Sequence, residues 1–451
     1  TGGTKDVLKI ELGVEKDGDV LVGTSTLPDG GTHSYKAKRA KPQERGQGGE
    51  GGGKSDEARE RELAFVRTVP EESGFPFGAY MRKAGEVGRV NGTVAVVNAT
   101  IWTSNASGEV IEGGTLVVTD GKIVAVGKGV LVPEGATVID AAGKHVTAGL
   151  IDCHSHTGIS KGVNEGGQAI TAEVRIQDVT NPDSINWYRQ LAGGLTAANN
   201  LHGSANAIGG QNAVNKIRWG VAHPDEMHVM GRETYSDANP LAAQSAGAKA
   251  GFKSGIKFAL GENPKGSNWS GAGARTRYPQ TRMGVETLIR DRFEAARQYA
   301  EEWKAWNAMD AARRESAMKR GTMPRRDLEL EALVEVLHGD RLVHAHSYRQ
   351  DEILMLCRVA GDFGFKIGTF QHILEGYKVA DEIEKHAIGA SAFSDWWAYK
   401  VEVQDAIPQG GPIMSEVGVN VSYNSDSDEM ARRMNTEAAK AVKYGDPQRM
   451  S

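Results

Sequence analysis

The stretch Val146–Gly158, VTAGLIDCHSHTG, is an apolar run that ends abruptly in His-Ser-His, in a chain that holds only 12 histidines. In an extended strand alternate side chains share a face, so His154 and His156 point the same way while Cys153 and Ser155 point the other. Two imidazoles on one face at a strand's exit can hold one ion between them. They can equally be two histidines satisfied by local hydrogen bonds, so the rest of the sequence has to decide.

Working outward, the residues before this stretch read as β structure. TVAVVNATIWT (93–103), GGTLVVTDGKIVAVG (113–127) and ATVIDAAGKHVTAGLID (136–152) are short strand runs punctuated by Asp-Gly and Gly-Gly turns. Residues 91–147 are therefore expected to form part of a small β-sandwich that leads into the His-Ser-His strand. Further upstream, residues 1–26 alternate around a KDGD turn and read as a β-hairpin, the end of another β-rich unit. Residues 27–90 read as a linker, partly disordered. Its stretch KAKRAKPQERGQGGEGGGKSDEARERE (36–62) is rich in glycine and charge and nearly devoid of large apolar residues.

After His156 the rhythm changes to strand-like runs separated by longer amphipathic stretches. GGLTAANNLHG, SGIKFALGE, DRLVHAHSY, FKIGTFQH, GASAFSDWW and GVNVSYNSDSD are the strands; LELEALVEVLHGD and DEILMLCRVAGDFG are helical patterns between them. Strands alternating with helices imply a parallel sheet, and about eight such units imply an α/β fold of the (β/α)8 TIM-type barrel over residues 148–451. Gly284–Gly321 reads as a charged helical insertion whose tryptophans, at helical spacing, are assigned to core packing.

In such a barrel functional groups gather at the C-terminal ends of the strands. His154 and His156 end the first barrel strand. IKFALGE carries Lys257 and ends at Glu262, RLVHAHS supplies His344 and His346, IGTFQH ends in His372, and VNVSYNSDSD ends with Asp426 and Asp428. Imidazole and carboxylate suit zinc and its neighbours, and a divalent cation lowers the pKa of a bound water from 15.7 to about 7. Packing alone does not account for so many such groups at strand exits.

The order of HxH, a strand lysine in GIKFA, two further strand-end histidines and a final Asp in NSDSD resembles the amidohydrolase superfamily of metal-dependent hydrolases. The lead-in GGTLVVTDGKIVAVG…VIDAAGKHVTAGLIDCHSH is similar to the β-sandwich and first barrel strand of its imidazolonepropionase-like and prolidase-like branch. The resemblance spans roughly Val94–Tyr444. It implies that His154 and His156 hold the more buried metal and that Lys257, once carboxylated, bridges two metals; an unmodified ammonium would repel them, in which case Glu262 is the better ligand. It further implies that His344 and His372 hold a second metal and that Asp426 is both ligand and general base or proton shuttle. The expected cofactor is a divalent metal, zinc, as one or two ions.

Other residues keep two readings. His346 shares a face with His344 and either contacts substrate and Asp426 or packs behind them. His202, before a Gly-rich turn, is a candidate substrate contact. Trp396, Trp397 and Tyr399 either line the site or cap the barrel. SANAIGGQN does not match a phosphate-binding glycine fingerprint.

The implied activity is hydrolysis of a C–N bond, in an amide or peptide. The alternatives are a mononuclear deaminase or cyclic amidase, and a non-catalytic binding or assembly module that keeps the barrel. A net charge of −5 with scattered basic residues speaks against nucleic acid. No window reaches the ~18 apolar residues of a membrane span. Cys153 and Cys357, the two cysteines, sit in apolar segments and make no disulfide framework. Family members return to the sandwich after the last barrel helix, whereas this chain runs from Thr1 to KYGDPQRMS. It is therefore expected to be a piece of a longer protein, with the missing strands supplied by a further segment or chain. A homo-oligomer is expected, and cytoplasmic and exported locations both remain open.

Overall fold

The computed structural model describes residues 9–14, 20–26, 32–38, 92–160, 162–221, 223–230, 241, 253–265, 277–393 and 401–445. Trp396, Trp397 and Tyr399, most of the expected linker and the tip of the loop after Glu262 lie outside them. The chain divides into two units, Thr1–Ser73 and Gly74–Ser451.

In the first unit β1 (Lys9–Val14) and β2 (Val20–Thr26) pair antiparallel, as their alternation predicts. A third strand, β3 (Thr32–Lys38), pairs antiparallel with β2 from Val20↔Lys38 to Thr26↔Thr32. The hairpin read over residues 1–26 is thus extended by residues of the expected linker.

The second unit opens with one sheet, built from β4 (Thr93–Trp102), β5 (Val110–Thr119), β6 (Lys122–Gly127), β7 (Thr137–Asp140) and β8 (His145–Val146). Its order is β6-β5-β4-β7, with β8 also on β4. Asp120 and Gly121 both take positive φ, +49° and +75°, which matches the twist of the β5–β6 hairpin and explains the Asp-Gly at its tip. Ala99, Ile101, Ile111 and Ala141 form its small core. Gly114 is required there, because a Cβ would lie 2.8 Å from Ile101 Cδ1.

The larger part carries two further sheets. One is β12-β10-β9, from β9 (Leu150–Ser155), β10 (Leu195–Asn200) and β12 (Ala213–Lys216). The other is β11-β13-β14-β15-β16-β17, from β11 (Ile208–Gln211), β13 (Ser254–Ala259), β14 (Arg341–His346), β15 (Ile367–Gln371), β16 (Ala387–Ala392) and β17 (Val421–Tyr423). β9 is parallel to β10, and β13 to β17 run parallel throughout. Helices alternate with them: α1 (Ile185–Ala192) precedes β10; α2 (Arg282–Asn307), α3 (Ala311–Lys319) and α4 (Leu328–His338) precede β14; α5 (Gln350–Phe363), α6 (Ala380–His386) and α7 (Gly410–Val417) precede β15, β16 and β17 in turn. The short α8 (Asp428–Ala431) and α9 (Met434–Tyr444) follow β17.

The result is a mixed α/β fold, with a departure from an all-parallel barrel. β12 is antiparallel to β10 and β11 is antiparallel to β13, and among the described residues strand pairing does not close a ring. β17 meets β9 instead through single contacts: Cys153 Sγ to Ser422 Oγ at 3.3 Å, and Asp426 N to His154 O at 3.2 Å.

Strand alternation sorts the side chains. Ile256, Phe258, Val343, Ala345 and Phe370 enter the main apolar core, which Ile289 and Phe293 of α2 and Leu333 of α4 cover. Their neighbours Lys257, His344, His346 and Gln371 take the other face. Trp303 and Trp306 of α2 are buried in that core, so the packing reading of the charged helical segment holds.

Candidate metal centre

His154 is fully buried at the end of β9, and its Nε2 lies 3.3 Å from Nε2 of His156. The other ring nitrogens are taken. His156 Nδ1 is 2.8 Å from Leu201 O, a group that only accepts, so the proton sits on Nδ1 and the Nε2 lone pair is left for a ligand. His154 Nδ1 is 2.9 Å from Gln371 Oε1.

The Asp426 carboxylate lies against both rings. Its Oδ1 is 3.1 Å from His156 Nε2 and 3.5 Å from His154 Nε2, and its Oδ2 is 3.7 Å from His372 Nε2. His154, His372 and Asp426 offer ligand atoms that all fall within 4.8 Å of one another. Lys257 Nζ approaches His154 Nε2 to 3.5 Å. Backbone geometry makes this convergence possible. His372 and Asp426 stand just past β15 and β17 with φ of +55° and +46°, a left-handed step that turns each side chain off the strand's alternation. Gln371 and His372, consecutive in sequence, therefore both reach His154.

Burial and charge set the protonation. Burial, with Lys257 second, pushes His154 down to about 3, and burial holds His372 well below its ordinary value; both rings are neutral at pH 7. Burial opposes ionisation of Asp426, but His372 and His154 outweigh it and hold its carboxyl well below the usual range. Burial depresses Lys257 to about 7, against an opposing pull from Asp426. Neutral imidazoles around an ionised carboxylate are the donor set a divalent cation takes, so these residues fit the metal the sequence implied.

The remaining candidates fall differently. His344 pairs in register with Lys257, and its Nδ1 is 3.5 Å from Gln371 Nε2; it is not in the His154, His372 and Asp426 group, whereas His372, expected to partner it, is. His346 is buried, its ring centroid 5.3 Å from that of His372 and 4.3 Å from that of Tyr348. His202 has both nitrogens in backbone contacts: Nε2 accepts from Glu165 N at 2.8 Å and Nδ1 donates to Gly203 O at 2.9 Å, which fastens the loop after β9. Glu262 is engaged by Lys265 at 2.6 Å and Arg282 at 3.1 Å.

Three buried polar residues escaped the sequence reading: Gln371, Ser391 and Asn424, hydrogen-bonded to one another and to the ligand histidines. Asp152 was missed too. It is fully buried and binds Ser425 N at 3.1 Å, Ser425 Oγ and His154 N at 3.2 Å, which joins the exits of β9 and β17. The signal available for all four was a polar residue at an inward position of an apolar strand.

An imidazole and carboxylate donor set at the carboxyl ends of parallel strands defines the class: an α/β protein with a candidate divalent-cation site. Comparison with known proteins makes the family specific. Over 350 residues, 75% of the chain, it is 31% identical to the amidohydrolase tasK of Hapsidospora irregularis, and it spans about a third (33%) of that protein's length. It is 39% identical over 71 residues to the imidazolonepropionase of Vibrio cholerae, covering 16% of each. Among solved structures, an amidohydrolase from Thermotoga maritima matches 78% of this chain and 84% of its own, with a TM-score of 0.63 and 28% identity. No protein-family model matches the sequence. These homologues and the structural neighbour support the amidohydrolase superfamily.

Proposed function

We propose that this chain is the catalytic unit of a metal-dependent hydrolase that cleaves a C–N bond, an amide or peptide bond by preference. The observation that carries the reading is the convergence of His154, His156 and His372 on the Asp426 carboxylate, with His154 and His372 held neutral and Asp426 ionised. When bound, a divalent cation, zinc in this reading, supplies Lewis-acid polarisation of the scissile carbonyl and an acidified water.

The chain's own residues do the rest. Asp426, ionised and held at the end of β17, accepts the proton of the attacking water and returns it to the leaving nitrogen. Lys257 reaches a neutral amine near pH 7, so it can add CO2, forming an N–C bond and releasing a proton; the carbamate anion would face His154 and His344. His346 and Tyr348 border the site beside His372 and are proposed to contact substrate. The finer architecture proposed is a (β/α)8 barrel whose ring runs from β9 through β10, β12, β11 and β13 to β17.

One observation favours a second reading. His344 stands outside the ligand group, as a single-ion site would have it, which suits a mononuclear deaminase or cyclic amidase with Lys257 unmodified. Metal counting separates the two. Elemental analysis of protein purified without chelator, beside His154→Ala, is expected to give one or two equivalents that the variant loses, followed by turnover of amides or dipeptides. Two equivalents support the bridged site and one the mononuclear reading. Metal absent from both proteins, even after zinc is added, rejects the hydrolase and leaves a binding or assembly module.

A further inference from the structure

Behind the candidate ligand histidines runs a connected set of hydrogen bonds, which Cys153 also meets at Ser391. Gln371 Oε1 is 2.9 Å from His154 Nδ1 and 2.9 Å from Ser391 Oγ; Ser391 Oγ is 2.9 Å from one end of the Asn424 amide; the other end of that amide is 3.2 Å from His372 Nδ1. Gln371, Ser391 and Asn424 are all fully buried, where an unsatisfied polar group is costly.

The proton inventory restricts this set severely. Ser391 has one proton, and each amide has a donor end and an acceptor end that only their hydrogen bonds distinguish. With Asn424 Oδ1 towards Ser391 and Gln371 Oε1 on the other side, the hydroxyl faces two acceptors and satisfies one. Turning the Asn424 amide removes the conflict. His372 Nδ1–H then donates to Asn424 Oδ1, Asn424 Nδ2 donates to Ser391 Oγ, Ser391 donates to Gln371 Oε1, and Gln371 Oε1 also accepts His154 Nδ1–H. Turning the Gln371 amide instead reverses every bond and puts the proton of both rings on Nε2. In both of these states the two histidines carry the same tautomer; unlike tautomers require Ser391 to donate to Cys153 instead of an amide.

We propose that Gln371, Ser391 and Asn424 act as one polarised chain that sets the tautomers of His154 and His372 together, so that both Nε2 lone pairs face a single divalent cation. These are positioning residues, and the inference rests on the metal reading above. It has a consequence for His344. In the orientation that frees both Nε2 atoms, Gln371 Nε2 points at His344 Nδ1, which places that ring's proton on Nε2.

The test is long-range 15N–1H spectroscopy of histidine-labelled full chain, with and without zinc, together with zinc affinity from chelator competition. In the wild type both His154 and His372 are expected as Nδ1–H tautomers. Ser391→Ala should uncouple them and weaken zinc ten- to a hundredfold, the range for residues that orient a metal ligand. Gln371→Glu keeps the acceptor for both donors and should hold His154 as Nδ1–H, whereas Gln371→Met removes it and should release that ring. Circular dichroism and urea unfolding verify that each variant folds. Unlike tautomers in the wild type, or unchanged tautomers and zinc affinity in Ser391→Ala, overturn the proposal. Coupled Nδ1–H tautomers in a protein that binds no zinc would reject the metal reading while the chain stands; zinc bound between uncoupled rings would do the reverse.

Discussion

At Gly158, two residues past His156, φ is +69° and an added Cβ would lie 2.4 Å from Trp187 Nε1. Trp187 cannot retreat: it is fully buried and its indole donates to Asn181 O at 2.9 Å, while Gly158 O accepts from Asn181 N at 2.6 Å. The turn that carries the chain away from the ligand strand is therefore closed on both sides by one aromatic ring and one loop. Gly158→Ala combines a left-handed penalty with overpacking and is expected to cost roughly 2–4 kcal/mol in urea unfolding. A loss below about 1 kcal/mol would mean that the loop moves with the ring. The same residue-scale logic, run in reverse, explains His372 and Asp426. Non-glycine residues accept a left-handed backbone there because the convergence of side chains depends on it.

Between elements the decisive groups are buried charges that fasten a helix to strands. Arg341 opens β14 at 1% exposure; its Nε donates to Glu335 Oε2 of α4 at 2.7 Å and its Nη1 to Gly255 O of β13 at 3.1 Å. One guanidinium thus sets the last turn of α4 and the register of the two strands that carry Lys257 and His344. Removing only the cation leaves the Glu335 carboxylate buried without it, so Arg341→Met is expected to destabilise by about 3–5 kcal/mol. Arg341→Met combined with Glu335→Leu should recover most of that loss, since the desolvation cost disappears with the second charge. If thermal or urea unfolding places the single and double variants together, the ion pair is not what fixes this corner.

Across the whole molecule, the parallel strands were legible because each is an apolar run with chemistry at its exit, and β13, buried on both faces, is the clearest instance. The antiparallel strands β12 and β11, which pair with β10 and β13, were not, since IGGQNAVNK carries turn residues. Gly209 and Gly210 are there for close approach instead: their Cβ atoms would lie 2.6 Å from His202 Nδ1 and 2.7 Å from Val174 O. Likewise the donor types were readable, but not their grouping, because which histidines share a site depends on left-handed steps and on amide partners that leave no periodicity. That grouping has a mechanical consequence. His154 and Asp426 belong to the exits of β9 and β17, strands between which no ladder forms, so an ion held between them reinforces the few contacts that join the two. A cation that binds only the folded state stabilises by about 2.7 kcal/mol at a hundred times its Kd. Zinc at that level should raise the melting temperature by a few degrees, chelator should reverse it, and Asp426→Asn should abolish the shift. Hydrogen exchange gives the sharper result: zinc should slow exchange at β9 and β17 alike, and protection confined to β9 would show that the ion sits on one strand without joining the two.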